Sequence, residues 1–141
     1  MRRKQALSLL ELIFVVSIVA VLLAISALGI TSYNSRLELK TAKQIFIQSL
    51  NRARSDARHN SLDYKISFNQ NSITIKNNKI TKTYRLGNIS LNKLKGSKYL
   101  TYTAPYGKTT ATNFEFELVS KNGLKTKVYV YGVTGKVADL D

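Results

Sequence analysis

Cysteine is absent from the 141-residue chain, and histidine and proline each occur once. Thiol catalysis, disulfide bonds and cysteine-based metal sites are therefore excluded. A metal site built on His59 would need carboxylate partners, and the acidic residues are few and scattered along the chain. The sequence also shows no set of nucleophile, base and acid, so we expect neither an enzyme nor a bound cofactor.

Acidic residues are scarce beside basic ones. The chain has 22 Lys and Arg residues against 8 Asp and Glu residues, which gives a formal net charge of +14. This excess favours acidic partners, either nucleic acid or anionic lipid, although a lysine-rich soluble surface would give the same composition. The charge predicts nothing about the fold.

A long apolar run follows a short basic leader. Residues 1–6 read MRRKQA, and the run extends from Leu7 to about Ile30 with Glu11 as its one charged residue. About 20 helical residues cross a bilayer core of ~30 Å, so the run predicts a membrane-spanning helix. The basic leader places the N-terminus in the cytoplasm, which puts the rest of the chain on the outer side of the inner (cytoplasmic) membrane, in the periplasm or outside the cell.

Two ordinary interpretations of this segment fit poorly. A cleaved secretory signal peptide has a shorter apolar region of about 7–15 residues, and Ala24-Ile25-Ser26 makes a poor cleavage site. A plain signal anchor leaves Glu11 unexplained, because a carboxylate costs about 2.5–3.5 kcal/mol at the centre of a spanning helix, and less near its end.

The stretch Ala6-Leu7-Ser8-Leu9-Leu10-Glu11, followed by an unbroken apolar helix, resembles the N-terminus of type IV pilins and type II secretion pseudopilins. The resemblance implies that a prepilin peptidase cuts between Ala6 and Leu7 and methylates the new amine of Leu7. It also implies assembly with other pilin or pseudopilin subunits. Ala6 stands where the family usually has Gly, Leu7 stands where Phe is common, and the proline of major pilins is absent near Leu28. These departures favour a minor subunit.

Glu11 falls on the family's glutamate, the fifth residue of the mature chain. An ammonium and a carboxylate are each costly in hydrocarbon, and pairing lowers both costs. The resemblance implies that the pair forms between the Leu7 amine of one subunit and Glu11 of its neighbour. We therefore expect Glu11 to guide assembly, with no catalytic role.

The helical pattern continues beyond the membrane segment. An apolar stripe recurs at spacings of three and four residues, which predicts one face of an amphipathic helix over 31–60. The stripe consists of Leu39, Ala42, Phe46, Leu50, Ala53 and Ala57. The opposite side is expected to carry Lys40, Arg52, Arg54 and Arg58, and His59 is expected to favour the helix C-terminus.

Residues 61–141 show a period of two, which predicts a β-rich head. Short strands are expected around Tyr64–Phe68, Ile73–Ile75, Ile80–Leu86 and Leu100–Thr103, with 87–98 as a polar loop. The fold class is therefore α+β, a long N-terminal helix packed on a small antiparallel sheet, as in pilins.

A hairpin is predicted near the C-terminus. A two-residue Asn-Gly loop would pair residues of opposite faces, whereas a three-residue loop over 121–123 pairs Phe116 with Val128 and Glu117 with Lys127. A slip of one residue would reverse every side chain, so we expect the longer loop, with Gly123 left-handed.

The end of the chain, YGVTGKV over 131–137, resembles that of minor pseudopilins of the GspH/FimT type, and competence pseudopilins of the ComGD type share this outline. A phosphate loop is not expected there, because the spacing between the glycines is wrong. Asp139 and Asp141 lack the density of oxygen ligands that a calcium site needs.

The leading functional hypothesis is a structural minor subunit of a type II secretion or type IV pilus filament. Its partners would be prepilin peptidase, other subunits and inner-membrane lipid. The alternative is a minor pilin that binds DNA for uptake. Its candidate phosphate contacts are Lys93, Lys95, Lys98 and Lys108, with Tyr99, Tyr102 and Tyr106 available to stack.

Overall fold

The computed structural model describes residues 9–109 and 112–139, without the side chains of 26–29. The chain divides into two compact units, residues up to Asn34 and residues from Ser35 onward.

The first element is the helix α1, which extends from Leu9 to Asn60 without interruption. No proline occurs in this range. Arg58 and His59 lie in the last turn, where positive charge favours the C-terminal end of the helix dipole. Ser61, with φ of 51°, follows Asn60 in the left-handed conformation that commonly ends helices.

Nine strands follow the helix and form two antiparallel sheets. They are β1 (Tyr64–Asn69), β2 (Ser72–Lys76), β3 (Thr81–Arg85), β4 (Ser90–Lys95), β5 (Tyr99–Thr103), β6 (Lys108–Thr109), β7 (Phe114–Val119), β8 (Lys125–Val130) and β9 (Val137–Asp139). The five-stranded sheet has the order β3-β2-β1-β5-β6, and the four-stranded sheet has the order β4-β7-β8-β9.

The apolar stripe of the helix forms part of the core between α1 and the sheets. All six stripe residues are buried, as the spacing predicts. Phe46 is fully buried, and its ring centroid lies 5.0 Å from that of Phe116 in the four-stranded sheet. Phe116 in turn lies 4.5 Å from Phe68 in the five-stranded sheet. These aromatic contacts join the helix to both sheets, and the α+β prediction is confirmed.

The C-terminal hairpin has the register that the sequence predicts. Phe116 pairs with Val128 and Glu117 pairs with Lys127. The loop is closed by Ser120 N–H donating to the Leu124 carbonyl at 2.9 Å. Gly123 has a φ of 79°, so the left-handed assignment is also confirmed.

Two expectations about the head are wrong. Residues 87–98 are not simply a loop, because they contain β4, which pairs with β7. The register of this pairing shifts between Lys93 and Lys95, and Leu94 between them is 50% exposed. In addition, Arg54 does not lie on a fully exposed side of the helix. It is half-buried, and its Nε donates to the Gly107 carbonyl at 3.3 Å.

Candidate assembly helix and basic head surface

The N-terminal part of α1 exposes its apolar side chains on all sides. From Leu9 to Ile25 every residue is exposed, with fractions for the large apolar side chains between 47% at Val19 and 77% at Leu9. A helix that is apolar around its whole circumference needs apolar surroundings, such as lipid or other helices. Within the described residues, α1 is long and apolar enough to cross a membrane.

Ser17 is one polar residue of this segment, and its hydroxyl is satisfied inside the helix. Its Oγ donates to the Ile13 carbonyl at 2.8 Å. This bond lowers the cost of placing the hydroxyl in an apolar environment, because no water is then needed to satisfy it.

Glu11 lies in the first turn of α1 and is exposed. A carboxylate at this end is favoured by the positive pole of the helix dipole. Ala6 and Leu7, the predicted cleavage and methylation sites, lie outside the described residues. The structure therefore places the glutamate at the beginning of the described helix and leaves the predicted amine partner unplaced.

The described acidic residues of the four-stranded sheet are engaged in ion pairs. Lys127 contacts Glu115 at 2.9 Å and Lys125 contacts Glu117 at 3.4 Å. The hydrogen bond to Glu115 raises the pKa of Lys127 above its ordinary value. The charge of this hairpin is thus balanced across its two strands.

Asp139 in β9 forms an ion pair with Lys43, a nearly buried lysine of α1. The carboxylate of Asp139 is thereby held against the helix. Among the residues that the structure describes, no three His, Cys, Asp or Glu side chains are grouped so that they could hold a metal ion.

The four lysines that are candidates for contacting DNA phosphates are divided between the two sheets. Lys93 and Lys95 lie in β4, and Lys95 is directly opposite Glu115 of β7. Lys98 immediately precedes β5, and Lys108 lies in β6. Both of these strands belong to the five-stranded sheet. All four are exposed, but they do not share one sheet.

Tyr102 is not available for stacking, contrary to the expectation from sequence. It is fully buried, and its hydroxyl donates to the Gly135 carbonyl at 3.1 Å. Burial raises the pKa of Tyr102 well above its ordinary value, and the charge of Arg54 opposes this to a smaller extent. Tyr99 and Tyr106 are exposed, by 37% and 69% respectively.

Sequence reasoning missed two lysines of the five-stranded sheet. Lys65 in β1 and Lys76 in β2 are exposed and lie directly opposite each other. The Lys65 Nζ lies 3.9 Å from the ring centroid of Tyr99. The alternation of Lys65 with the buried Tyr64 and Ile66 was the signal that places this lysine on the outward side.

No protein-family model, curated protein or solved structure matches the chain. A fold by itself does not define a function.

Proposed function

We propose that this protein is a minor subunit, a pseudopilin, of a type II secretion or type IV pilus filament. In this proposal prepilin peptidase cuts the chain, and the subunit assembles through its N-terminal helix. The observation that carries the proposal is the make-up of α1: one uninterrupted helix that is apolar and exposed over its first half and supplies core residues to a β-rich head in its second.

The exposed apolar half of α1 needs two successive environments in this proposal. Burying apolar surface is favourable by about 25 cal/mol per Å². Lipid covers the segment before assembly, and the equivalent helices of neighbouring subunits cover it in the filament. The head remains on the outer side of the inner membrane, because the basic leader stays in the cytoplasm.

Glu11 supplies the register of assembly. The residues Ala6 to Glu11 resemble the pilin pattern around the cleavage site, with Ala6 in place of the usual Gly and Leu7 in place of the common Phe. After cleavage, Leu7 would carry the free amine as the first residue of the chain, and Glu11 would be the fifth residue. Pairing between neighbouring subunits lowers the cost of holding both charges in an apolar filament core.

Mass spectrometry of the protein extracted from membranes tests the proposal. We expect a mature chain that begins at Leu7 and carries a methyl group on its amine. Ala6→Leu, which puts a bulky residue before the cut, should leave the leader attached. Ser17→Ala serves as the matched control and should be cut normally. An N-terminus near Ala27, as signal peptidase would leave, would overturn the proposal, and so would a chain that keeps Met1.

A further inference from the structure

The excess positive charge of the head is concentrated on the five-stranded sheet. The described strands of this sheet contain no Asp or Glu. Their basic residues are Lys65, Lys76, Lys82, Arg85 and Lys108. In the four-stranded sheet, by contrast, Glu115, Glu117 and Asp139 are each paired with a lysine. The two sheets therefore differ in how far their charge is neutralised.

The strand register defines an outer face on the five-stranded sheet. Ile66 pairs with both Ile75 and Leu100, and all three are buried, so the residues that alternate with them point outward. Over the central part of β1, β2 and β5 the outer face consists of Lys65, Ser67, Thr74, Lys76, Tyr99 and Thr101. It is a surface of hydroxyl groups and lysines with one aromatic ring.

Two lysines of the outer face are in an unfavourable arrangement. Lys65 and Lys76 lie opposite each other on neighbouring strands, and like charges in this position destabilise a sheet. Asp63 lies near the two lysines and lines the same surface depression as they do. Its carboxylate also accepts a hydrogen bond from the Ala104 N–H at 2.8 Å. A bound anion between the two lysines would relieve their repulsion.

Tyr99 lies between two ammonium groups. The Nζ of Lys65 is 3.9 Å from its ring centroid and the Nζ of Lys98 is 5.4 Å away. Contacts of this kind hold a lysine over an aromatic ring. Lys65 and Tyr99, together with Lys76, border an open depression of about 430 Å³ on the surface of the sheet.

The chemistry of the outer face fits a phosphodiester chain better than a lipid surface. Lysine ammonium groups and Ser or Thr hydroxyls are the side chains that contact phosphate oxygens. Proteins that lie on membranes insert apolar side chains among the lipids. Tyr99 is the one large apolar side chain on the outer face. A single strand exposes the faces of its bases, whereas a duplex hides them, so an aromatic ring favours the single strand.

We infer that the outer face of the five-stranded sheet binds single-stranded DNA. Lys65, Lys76 and Lys98 contact the phosphates, and a base packs against Tyr99 when the Lys65 ammonium turns from the ring to a phosphate. This binding surface is separate from the N-terminal helix and does not depend on the filament role. Lys95 lies outside it, opposite Glu115 in the four-stranded sheet.

The test uses the full chain in non-ionic detergent and measures the fluorescence anisotropy of a labelled oligothymidylate over a range of salt concentrations. The double variant Lys65→Gln and Lys76→Gln should lose about two phosphate contacts. The slope of log K against log salt should then fall in magnitude by about 1.4, or 0.7 per contact. Affinity at ~150 mM salt should drop about tenfold or more.

The matched control is the double variant Lys95→Gln and Lys121→Gln, which removes the same charge from the four-stranded sheet and its hairpin loop. It should change affinity by less than about twofold, because these lysines lie outside the proposed surface. The thermal stability of the Lys65 and Lys76 variant should be equal to or above that of the parent, since a like-charged pair is removed. If both double variants weakened oligothymidylate binding equally, the inference would be overturned, because affinity would then depend only on total charge.

Tyr99→Leu separates single-strand binding from simple attraction to polyanions. Loss of one stacking contact should weaken oligothymidylate binding about fivefold or more, with little change for a duplex of the same length. The inference would be overturned if the protein bound duplex and single strand with equal affinity and Tyr99→Leu left the affinity for oligothymidylate unchanged. Absence of binding, or equally tight lysine-dependent binding to phosphatidylserine vesicles, would do the same. Filament incorporation of these variants should be normal, so this inference and the proposed function can fail separately.

Discussion

At the scale of single residues, Glu11 is the most informative side chain of the apolar segment. It is the one acidic or basic residue between Leu9 and Ile30. A charge in a spanning helix is expensive even near the end of the helix, so its presence points to a partner in the assembled state. Glu11 is exposed in the described chain.

Glu11→Ala should be cut by the peptidase as efficiently as the parent, because the scissile bond and its flanks are unchanged. It should nevertheless enter filaments poorly, since the amine of Leu7 then lacks its carboxylate. Immunoblots of sheared filaments, normalised to the membrane pool, measure the incorporated fraction. Ser17→Ala controls for a polar substitution in the same helix. Normal incorporation of Glu11→Ala would remove the assembly role from this residue.

Tyr102 should make the stability of the head decrease as the pH becomes alkaline. In the unfolded chain a tyrosine ionises near pH 10, whereas burial raises the pKa of Tyr102 in the folded chain. The stability that comes from keeping the proton is present below about pH 10 and is lost as the pH rises above it.

Tyr102→Phe should therefore lower the stability by about 1 kcal/mol at neutral pH, because the hydrogen bond to Gly135 is lost. The difference from the parent should shrink or reverse above about pH 10. Thermal unfolding followed by circular dichroism between pH 7 and 11 measures both effects. Tyr106→Phe alters an exposed tyrosine and should show neither. A constant difference at every pH would contradict the assigned role of burial.

At the scale of elements, α1 is joined to the sheets by Phe46. Its ring is fully buried and packs edge-on against Phe116, with an interplanar angle of 62°. Truncating a buried phenylalanine removes its contacts with both sheets and leaves a cavity.

Phe46→Ala should destabilise the head by about 3–5 kcal/mol. Phe14→Ala makes the same chemical change at a side chain that is 67% exposed, and it should leave the unfolding of the head nearly unchanged. Chemical denaturation of both variants in detergent, followed by tyrosine fluorescence, makes the comparison. Equal effects would mean that the stripe is not the packing face of the helix.

Some elements follow from the sequence because their periodicity is uninterrupted. The stripe from Leu39 to Ala57 keeps helical spacing, and the hairpin around Gly123 keeps strict alternation, so both were predicted with the correct register. Strand β4 was missed because its two leucines, Leu91 and Leu94, are three residues apart, so its apolar residues do not alternate: Leu91 is buried and Leu94 is 50% exposed.

The candidate site was only partly predictable for a related reason. Tyr102 shares the inward face with Leu100, and this alternation could have shown that it is buried. The contact of Lys65 with Tyr99 could not be inferred with the same ease. It depends on the pairing of β1 with β5 across a long stretch of chain, and local patterns do not specify such a pairing.

At the scale of the whole molecule, the residues from Ser35 onward form a compact unit of their own. The Asn122 Nδ2 donates to the Ser35 Oγ at 2.6 Å, so the first residue of this unit contacts the turn of the C-terminal hairpin. The unit also contains every stripe residue of α1 that is buried in the core.

A fragment of residues 35–141 should therefore be soluble and should unfold cooperatively. A fragment of residues 61–141 serves as the comparison: it lacks the helical stripe and should be insoluble or molten, because the inner faces of both sheets would lose their cover. Near-ultraviolet circular dichroism and the sharpness of thermal unfolding distinguish the two states. Cooperative folding of the shorter fragment would show that the helix is dispensable for the core.

The order of the strands also bears on how such heads tolerate crowding. β3 and β6 lie at the edges of one sheet, and β4 and β9 lie at the edges of the other. An edge strand has unpaired backbone groups that can recruit a strand from another molecule, and lysine at the edge opposes this. Lys82, Lys93 and Lys108 lie on three of these edges. Closely spaced copies can therefore remain separate β folds instead of joining edge to edge into aggregates.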